Sequence, residues 1–193
     1  MLAAPSRTVK TVLKSGGVIV DRDLTFRDAQ LKDAAGLAEI GRETFAETFG
    51  DYYPPGDLRQ FLDETYSVGK MEADLRDPDV EVRIAYSGRK MVAYCKIGPC
   101  KLPIDTGPEP SLELHRVYVY QHGQGVGVGR ILLAWAIERA RQRGAKNLYL
   151  GVWESNARAI ALYESRGFEK VGNYKFKVGD TMDDEFIMRL RLA

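Results

Sequence analysis

Residues 112–130, LELHRVYVYQHGQGVGVGR, leave this chain few folds to choose from. Leu112, Leu114 and Val117-Tyr118-Val119 are the aliphatic, branched and aromatic residues that suit a pleated surface, so the stretch opens as a strand. It turns glycine-rich at Gln124-Gly125-Val126-Gly127-Val128-Gly129-Arg130 and runs directly into ILLAWAIERARQR, a helical pattern. Strand, glycine turn and helix N-terminus together form a phosphate-binding arrangement. Glycine lets the backbone approach closely, and the unpaired N–H groups of the first helical turn point at the anion. A P-loop requires GxxxxGK[ST], and no Gly-Lys-Ser/Thr occurs. A dinucleotide fingerprint requires GxGxxG, but the glycines at 123, 125, 127 and 129 never put its third glycine in place. What remains is Q-x-x-G-x-G, from Gln124 to Gly129. On its own it also fits a glycine-rich turn with no ligand.

A chain of 193 residues suits one domain. The 28 basic and 27 acidic residues nearly cancel, which gives no electrostatic case for nucleic acid or a membrane surface. No run approaches 18 apolar residues, so no membrane span is expected. Cys95 and Cys100 lack a histidine pair nearby, so no metal site is expected. They read as reduced thiols of a cytosolic protein. Residues 1–22 read as an N-terminal extension, and the folded domain is placed at 23–193.

Along the chain, residues 23–29 predict a short strand. Residues 31–49 predict a helix that loosens at Gly41, followed by short helices over 57–66 and 68–76. Glu43, Glu47 and Asp51 are four apart and lie on one face if the helix persists to 51: either a solvated acidic face or a cation-attracting wall. A hairpin is predicted over 81–86 and 90–97, and a proline-rich loop over 99–111 that cannot be a central strand. After the organising strand come a helix to Arg143, a strand over 146–153, a helix over 157–166 and two strands over 168–177 and 184–192. Antiparallel hairpin first and strand–helix–strand–helix after it argue for α/β with a mixed sheet.

A second motif, Asn156-Ala-Arg-Ala-Ile-Ala-Leu-Tyr163-Glu-Ser-Arg-Gly167-Phe168, fits N-x-x-A-x-x-x-Y-x-x-x-G-F. With the glycine loop before it, the chain resembles the GNAT superfamily of acetyl-CoA-dependent N-acetyltransferases. Within that superfamily it is similar to the bacterial PaiA-type polyamine acetyltransferases, through Glu43-Thr-Phe, Glu47-Thr-Phe, Ser111-Leu-Glu-Leu and Leu150-Gly-Val-Trp-Glu-Ser-Asn156. The turn Tyr120-Gln121-His122-Gly123 departs from the proline or acidic turn usual at that place.

The resemblance implies a GNAT fold: about seven strands in a mixed sheet, flanking helices, and a V-shaped cofactor cleft between the fourth and fifth strands. It implies acetyl-CoA as cosubstrate, no metal, a small amine as acceptor such as spermidine or spermine, and a cytoplasmic enzyme. Homodimers are common in the family, and no pattern in this chain decides the point. Backbone groups of Val117, Tyr118 and Val119 would hold the pantetheine arm. Gln124, Gly125, Val126, Gly127, Val128, Gly129 and Arg130 would hold the pyrophosphate, and Asn156 would bond the cofactor near the pantetheine. Tyr163 would protonate the departing sulfur. Glu113 would take the amine proton through a water or bind the cationic amine by charge, with His115 as the other candidate base. Glu43, Glu47, Glu113 and Trp153 would line the acceptor site. Two other readings stay open: the same chemistry on a protein N-terminus or lysine, and a regulatory module that binds acetyl-CoA without turnover.

Overall fold

The computed structural model describes residues 7–15, 18–121 and 127–192. Its helix α4 (Val128–Gln142) starts where the glycine turn ends, and buries Val128, Leu132, Leu133, Ala136, Ile137 and Ala140. These recur three and four apart, which is the stripe that fixes a helix on a sheet. Each buried leucine or isoleucine contributes about 1.5–3 kcal/mol. Ile131 and Trp135 sit at the edge of this stripe, partly buried.

The strands are β1 (Arg7–Ser15), β2 (Val18–Asp28), β3 (Glu81–Ser87), β4 (Lys90–Pro99), β5 (Ser111–Val119), β6 (Asn147–Trp153), β7 (Glu169–Val178) and β8 (Thr181–Arg191). They form one sheet in the order β1-β2-β3-β4-β5-β6-β8-β7. Strands β2 to β8 make the expected seven, and β1 adds an eighth at the edge by pairing antiparallel with β2. Thus β2 begins at Val18, earlier than the predicted start at 23. Among the described residues, β5 and β6 are the parallel pair. They are the fourth and fifth strands of the seven.

Helices α1 (Ala34–Phe49), α2 (Pro55–Thr65) and α3 (Val68–Arg76) cover the face opposite α4. A short 3₁₀ turn, Leu31–Asp33, leads into α1. Helix α1 does not loosen at Gly41. It runs through, and glycine is there for a different reason: a Cβ would lie 2.5 Å from the ring of Tyr66, which sits directly against the helix. The last helix, α5 (Ala157–Glu164), is capped by Asn156, whose side chain accepts from the Ala159 N–H. Gly167, with φ +87, takes the chain out of it in a conformation glycine alone adopts easily. No helix is long and apolar enough among the described residues to cross a membrane.

Candidate active site

Two irregularities in β5 create the site. The first is its short pairing with β6, which covers only Ser111↔Asn147, Leu112↔Leu148 and Glu113↔Tyr149. Beyond Glu113 the strands part. Residues Leu114 to Val119 then pair on one side with β4 alone, and Leu150 to Trp153 with β8 alone. The second is a bulge. Lys96 pairs with Arg116 and Ile97 with Leu114, so His115 is the extra residue. It flips the alternation of the strand. Leu112 and Leu114, then Val117 and Val119, face α4, while Tyr118 faces α1.

A cleft of about 1180 Å³ fills the opening between the parted strands. At one end Gly127, with φ +80, forms the N-cap of α4, a left-handed conformation that any side chain would strain. The first turn, Val128, Gly129 and Arg130, opens onto the cleft with Val117, Tyr118 and Val119. The free strand edge and the helix N-terminus supply the N–H and C=O groups that an extended, amide-bearing arm ending in pyrophosphate requires. Acetyl-CoA therefore fits the residues present. Gln124, Gly125 and Val126, expected to share in holding the pyrophosphate, lie outside the described residues.

Tyr163, projecting from α5, lines the cleft and packs on Phe168 with ring centroids 5.7 Å apart. Burial is the main reason its hydroxyl holds the proton well above the usual phenol range, and the negative ends of Cys95, Tyr118 and Glu185 add to it. Asn156 and Trp153 line the cleft as well. The Trp153 ring meets Tyr52 at 4.6 Å and Phe49 at 5.6 Å, both edge-on, so α1 and the turn after it wall the cleft with aromatic faces.

Glu113 is buried, and both of its oxygens are engaged. Oε2 accepts from the Lys101 N–H at 2.7 Å, which ties the proline-rich loop to β5, and Oε1 lies 3.3 Å from His115 Nδ1. Burial alone would raise its pKa. The His115 bond and charge, the Lys101 N–H and Arg116 outweigh that and hold the carboxyl below the usual range. His115 turns Nε2 toward Gly98, where it finds no hydrogen-bond partner among the described residues. Next to it Arg116 lies over the rings of Tyr66 and Tyr118, at 5.9 and 5.8 Å, and donates to the His115 carbonyl at 2.7 Å. Tyr66 and Tyr118 share a hydroxyl–hydroxyl bond of 2.6 Å. The close seat of Tyr66 on Gly41 thus supports the cation beside the bulge.

Glu43 and Glu47 of α1 hold the rim. Glu43 accepts from the Tyr120 hydroxyl at 2.5 Å, and Glu47 accepts from the Gln121 N–H at 3.0 Å. Glu47 lines the cleft and Glu43 does not. Their partners lie in the turn just after β5, so that turn and the acids of α1 meet as one contact.

Sequence reasoning missed four residues of this site. Tyr53 donates to Asp183, and Tyr174 donates to Glu185. Tyr53, Tyr174 and Glu185 line the cleft. Burial raises the Glu185 pKa, with the charges of Asp183 and Glu113 adding to it, while the Tyr174 bond and Arg116 oppose. The only local signal was the alternation Asp183, Glu185 on one face of the last strand.

The comparisons with known proteins agree with this geometry. Residues 42–168 match the model of the acetyltransferase (GNAT) family. An uncharacterized N-acetyltransferase of Lactobacillus delbrueckii subsp. lactis is 30% identical over 162 residues, which are 84% of this chain and 94% of that one. The ribosomal protein bS18-alanine N-acetyltransferase of Escherichia coli is 42% identical over 73 residues, 36% of this chain and 49% of that one. The structure of a PaiA N-acetyltransferase from Thermoplasma acidophilum in complex with coenzyme A has a TM-score of 0.70 at 20% identity, covering 87% of this chain and 98% of that one. At that identity the likeness is one of fold. The parted strands, the glycine-capped helix and the family match lead to one conclusion: the chain belongs to the GNAT family and is an acetyl-CoA-dependent N-acetyltransferase.

Proposed function

We propose that the acetyl acceptor is a primary amine on a small cationic molecule of the polyamine type. One observation carries this reading: the acceptor side of the cleft combines carboxylates with aromatic walls. Asp183 and Glu185 are two residues apart on β8, so their Cα atoms are about 7 Å apart along one face. Tyr53, Trp153, Tyr174 and Phe176 line the cleft beside them. Anionic oxygens attract ammonium groups, and aromatic faces favour both the charge and the methylene chain between charges.

Acetyl-CoA supplies the activated acetyl group. The chain's own residues do the rest. The free edge of β5 from Val117 to Val119 binds the extended arm, and the N-terminus of α4 at Gly127 to Arg130 binds the pyrophosphate. The Oδ1 of Asn156 is spent on the cap of α5, which leaves its amide N–H for the cleft. Tyr163 keeps its proton at neutral pH and is the donor to the sulfur. Holding both partners in one cleft is worth up to about 7–11 kcal/mol of effective concentration.

A protein N-terminus is the second reading. It is favoured by the 73-residue likeness to the bS18-alanine enzyme. Release of free CoA thiol from acetyl-CoA separates the two, with spermidine as one acceptor and short peptides, one carrying lysine and one a free N-terminal alanine, as the others. Release with spermidine alone is the result expected. Release with peptide alone would move the acceptor to proteins.

A further inference from the structure

We propose that Glu185, held by Tyr174 above Gly151, is the base that takes the proton from the acceptor amine. The assignment rests on the amine-acceptor reading above and deepens it. Trp153, Glu185 and Tyr174 stand opposite one another on β6, β8 and β7, so they form one row on one face of the sheet. Gly151 lies two residues before Trp153 on that same face. A Cβ on Gly151 would come within 2.8 Å of Glu185 Oε2, and closer still to the Tyr174 hydroxyl. The carboxylate therefore leans from its own row toward the point where β5 and β6 part. The missing side chain at Gly151 makes room for it there.

The hydrogen bonding gives it a free oxygen. Tyr174 donates to Oε2, and Oε1 is left for a substrate. Glu185 lines the same cleft as Tyr163 of α5 and Tyr53 of the α1–α2 connection, near enough for its charge to act on both. Glu113 has no such free oxygen, because its two oxygens already hold the Lys101 N–H and His115.

The proton step is simple. An N–H bond of the bound ammonium breaks, an O–H bond forms at Glu185 Oε1, and the lone pair stays on nitrogen, free to attack. Glu185 later returns the proton to water. The groups that face Glu185 are Tyr174 on β7, Asp183 on β8, Glu113 and Arg116 on β5, Tyr163 on α5 and Tyr53. Burial lifts its pKa, with the charges of Asp183 and Glu113 adding and the Tyr174 bond and Arg116 opposing, which brings a carboxylate closer to the working range of a general base.

The test compares Glu185→Gln, Glu113→Gln and Tyr174→Phe with the wild-type protein. Spermidine-dependent thiol release is measured across pH, and acetyl-CoA affinity by calorimetry. For Glu185→Gln the expected result is turnover lower by ~100-fold or more, loss of the acid limb of the pH profile, and acetyl-CoA affinity within about 2-fold. For Tyr174→Phe the acid limb moves to higher pH, because the lost hydrogen bond had stabilised the charged carboxylate. For Glu113→Gln the limb persists and moves only slightly, to lower pH, because the charge of Glu113 is the smallest of the contributions that raise the Glu185 pKa. A Glu185→Gln protein that keeps the limb, or a Glu113→Gln protein that loses it, overturns the assignment. A wild-type protein that binds acetyl-CoA and acetylates no amine overturns the acceptor reading, and this assignment with it. That failure is distinct because it appears before any substitution is made.

Discussion

The donor and acceptor halves of the cleft are built from different materials. The donor half is backbone: the free edge of β5, a left-handed glycine and the first turn of α4. The acceptor half is side chains brought together from β5, β6, β7, β8 and the turn after α1. A backbone site depends on where the chain turns and which residues permit it, so a short contiguous motif encodes it. A side-chain site depends on which strands the fold sets beside one another, and no short stretch contains that.

The difference can be pressed at four points, from the largest effect to the smallest. Tyr163→Phe removes the hydroxyl proposed as proton donor while leaving the ring packed on Phe168. Turnover in the thiol-release assay falls ~100-fold, with acetyl-CoA affinity held within about 2-fold. A variant at full turnover would remove Tyr163 from the chemistry. Gly151→Ala pushes Tyr174 and Glu185 aside without touching the donor half. Its kcat/KM for the acceptor falls ~10-fold, equivalent to about 1.4 kcal/mol, and acetyl-CoA binding is unaffected. Gly127→Ala does the reverse. The left-handed conformation costs about 1–2 kcal/mol there, so the acetyl-CoA Kd rises and the acceptor KM does not.

The smallest effect is in stability, and it separates the two carboxylates. Glu113 has a folded pKa below its ordinary 4.5, so its stabilisation is complete above that value and is lost as pH falls through the depressed one. Glu185 has a folded pKa above 4.5, so its ionisation costs stability above the raised value, and the cost vanishes below 4.5. At neutral pH Glu113→Gln lowers Tm and Glu185→Gln raises it. Both differences shrink toward zero in acid. Thermal unfolding at pH 7 and pH 3.5 measures both signs. Shifts in the same direction would deny the two groups their separate roles.

Legibility in the sequence follows the same division. The order of helices and strands from residue 23 onward and the mixed sheet could be read from periodicity and turn residues, and the place of the cleft from the family resemblance that residues 112–130 and 156–168 carry, whereas β1, within residues 1–22, was not read. The proximity of Glu113 and His115 was also legible from their spacing of two. Their use was not, because the Lys101 N–H comes from a loop twelve residues away. Gly41 suggested a loosened helix, since a glycine inside a helix carries no sign of the ring that lies on it. The regular four-residue spacing of Glu43 and Glu47 gave no hint that Tyr120 and Gln121 lie opposite. Glu185 and Tyr174 are eleven residues apart and meet only through the β7–β8 register.

The most direct measurement is a crystal structure of the protein with coenzyme A and spermidine bound. The account predicts the arm of the cofactor along Val117 to Val119, its sulfur within about 3–3.5 Å of the Tyr163 hydroxyl, and an amine nitrogen at Glu185 Oε1. A sulfur far from Tyr163, or an amine held at Glu113 with Glu185 facing away, would contradict it.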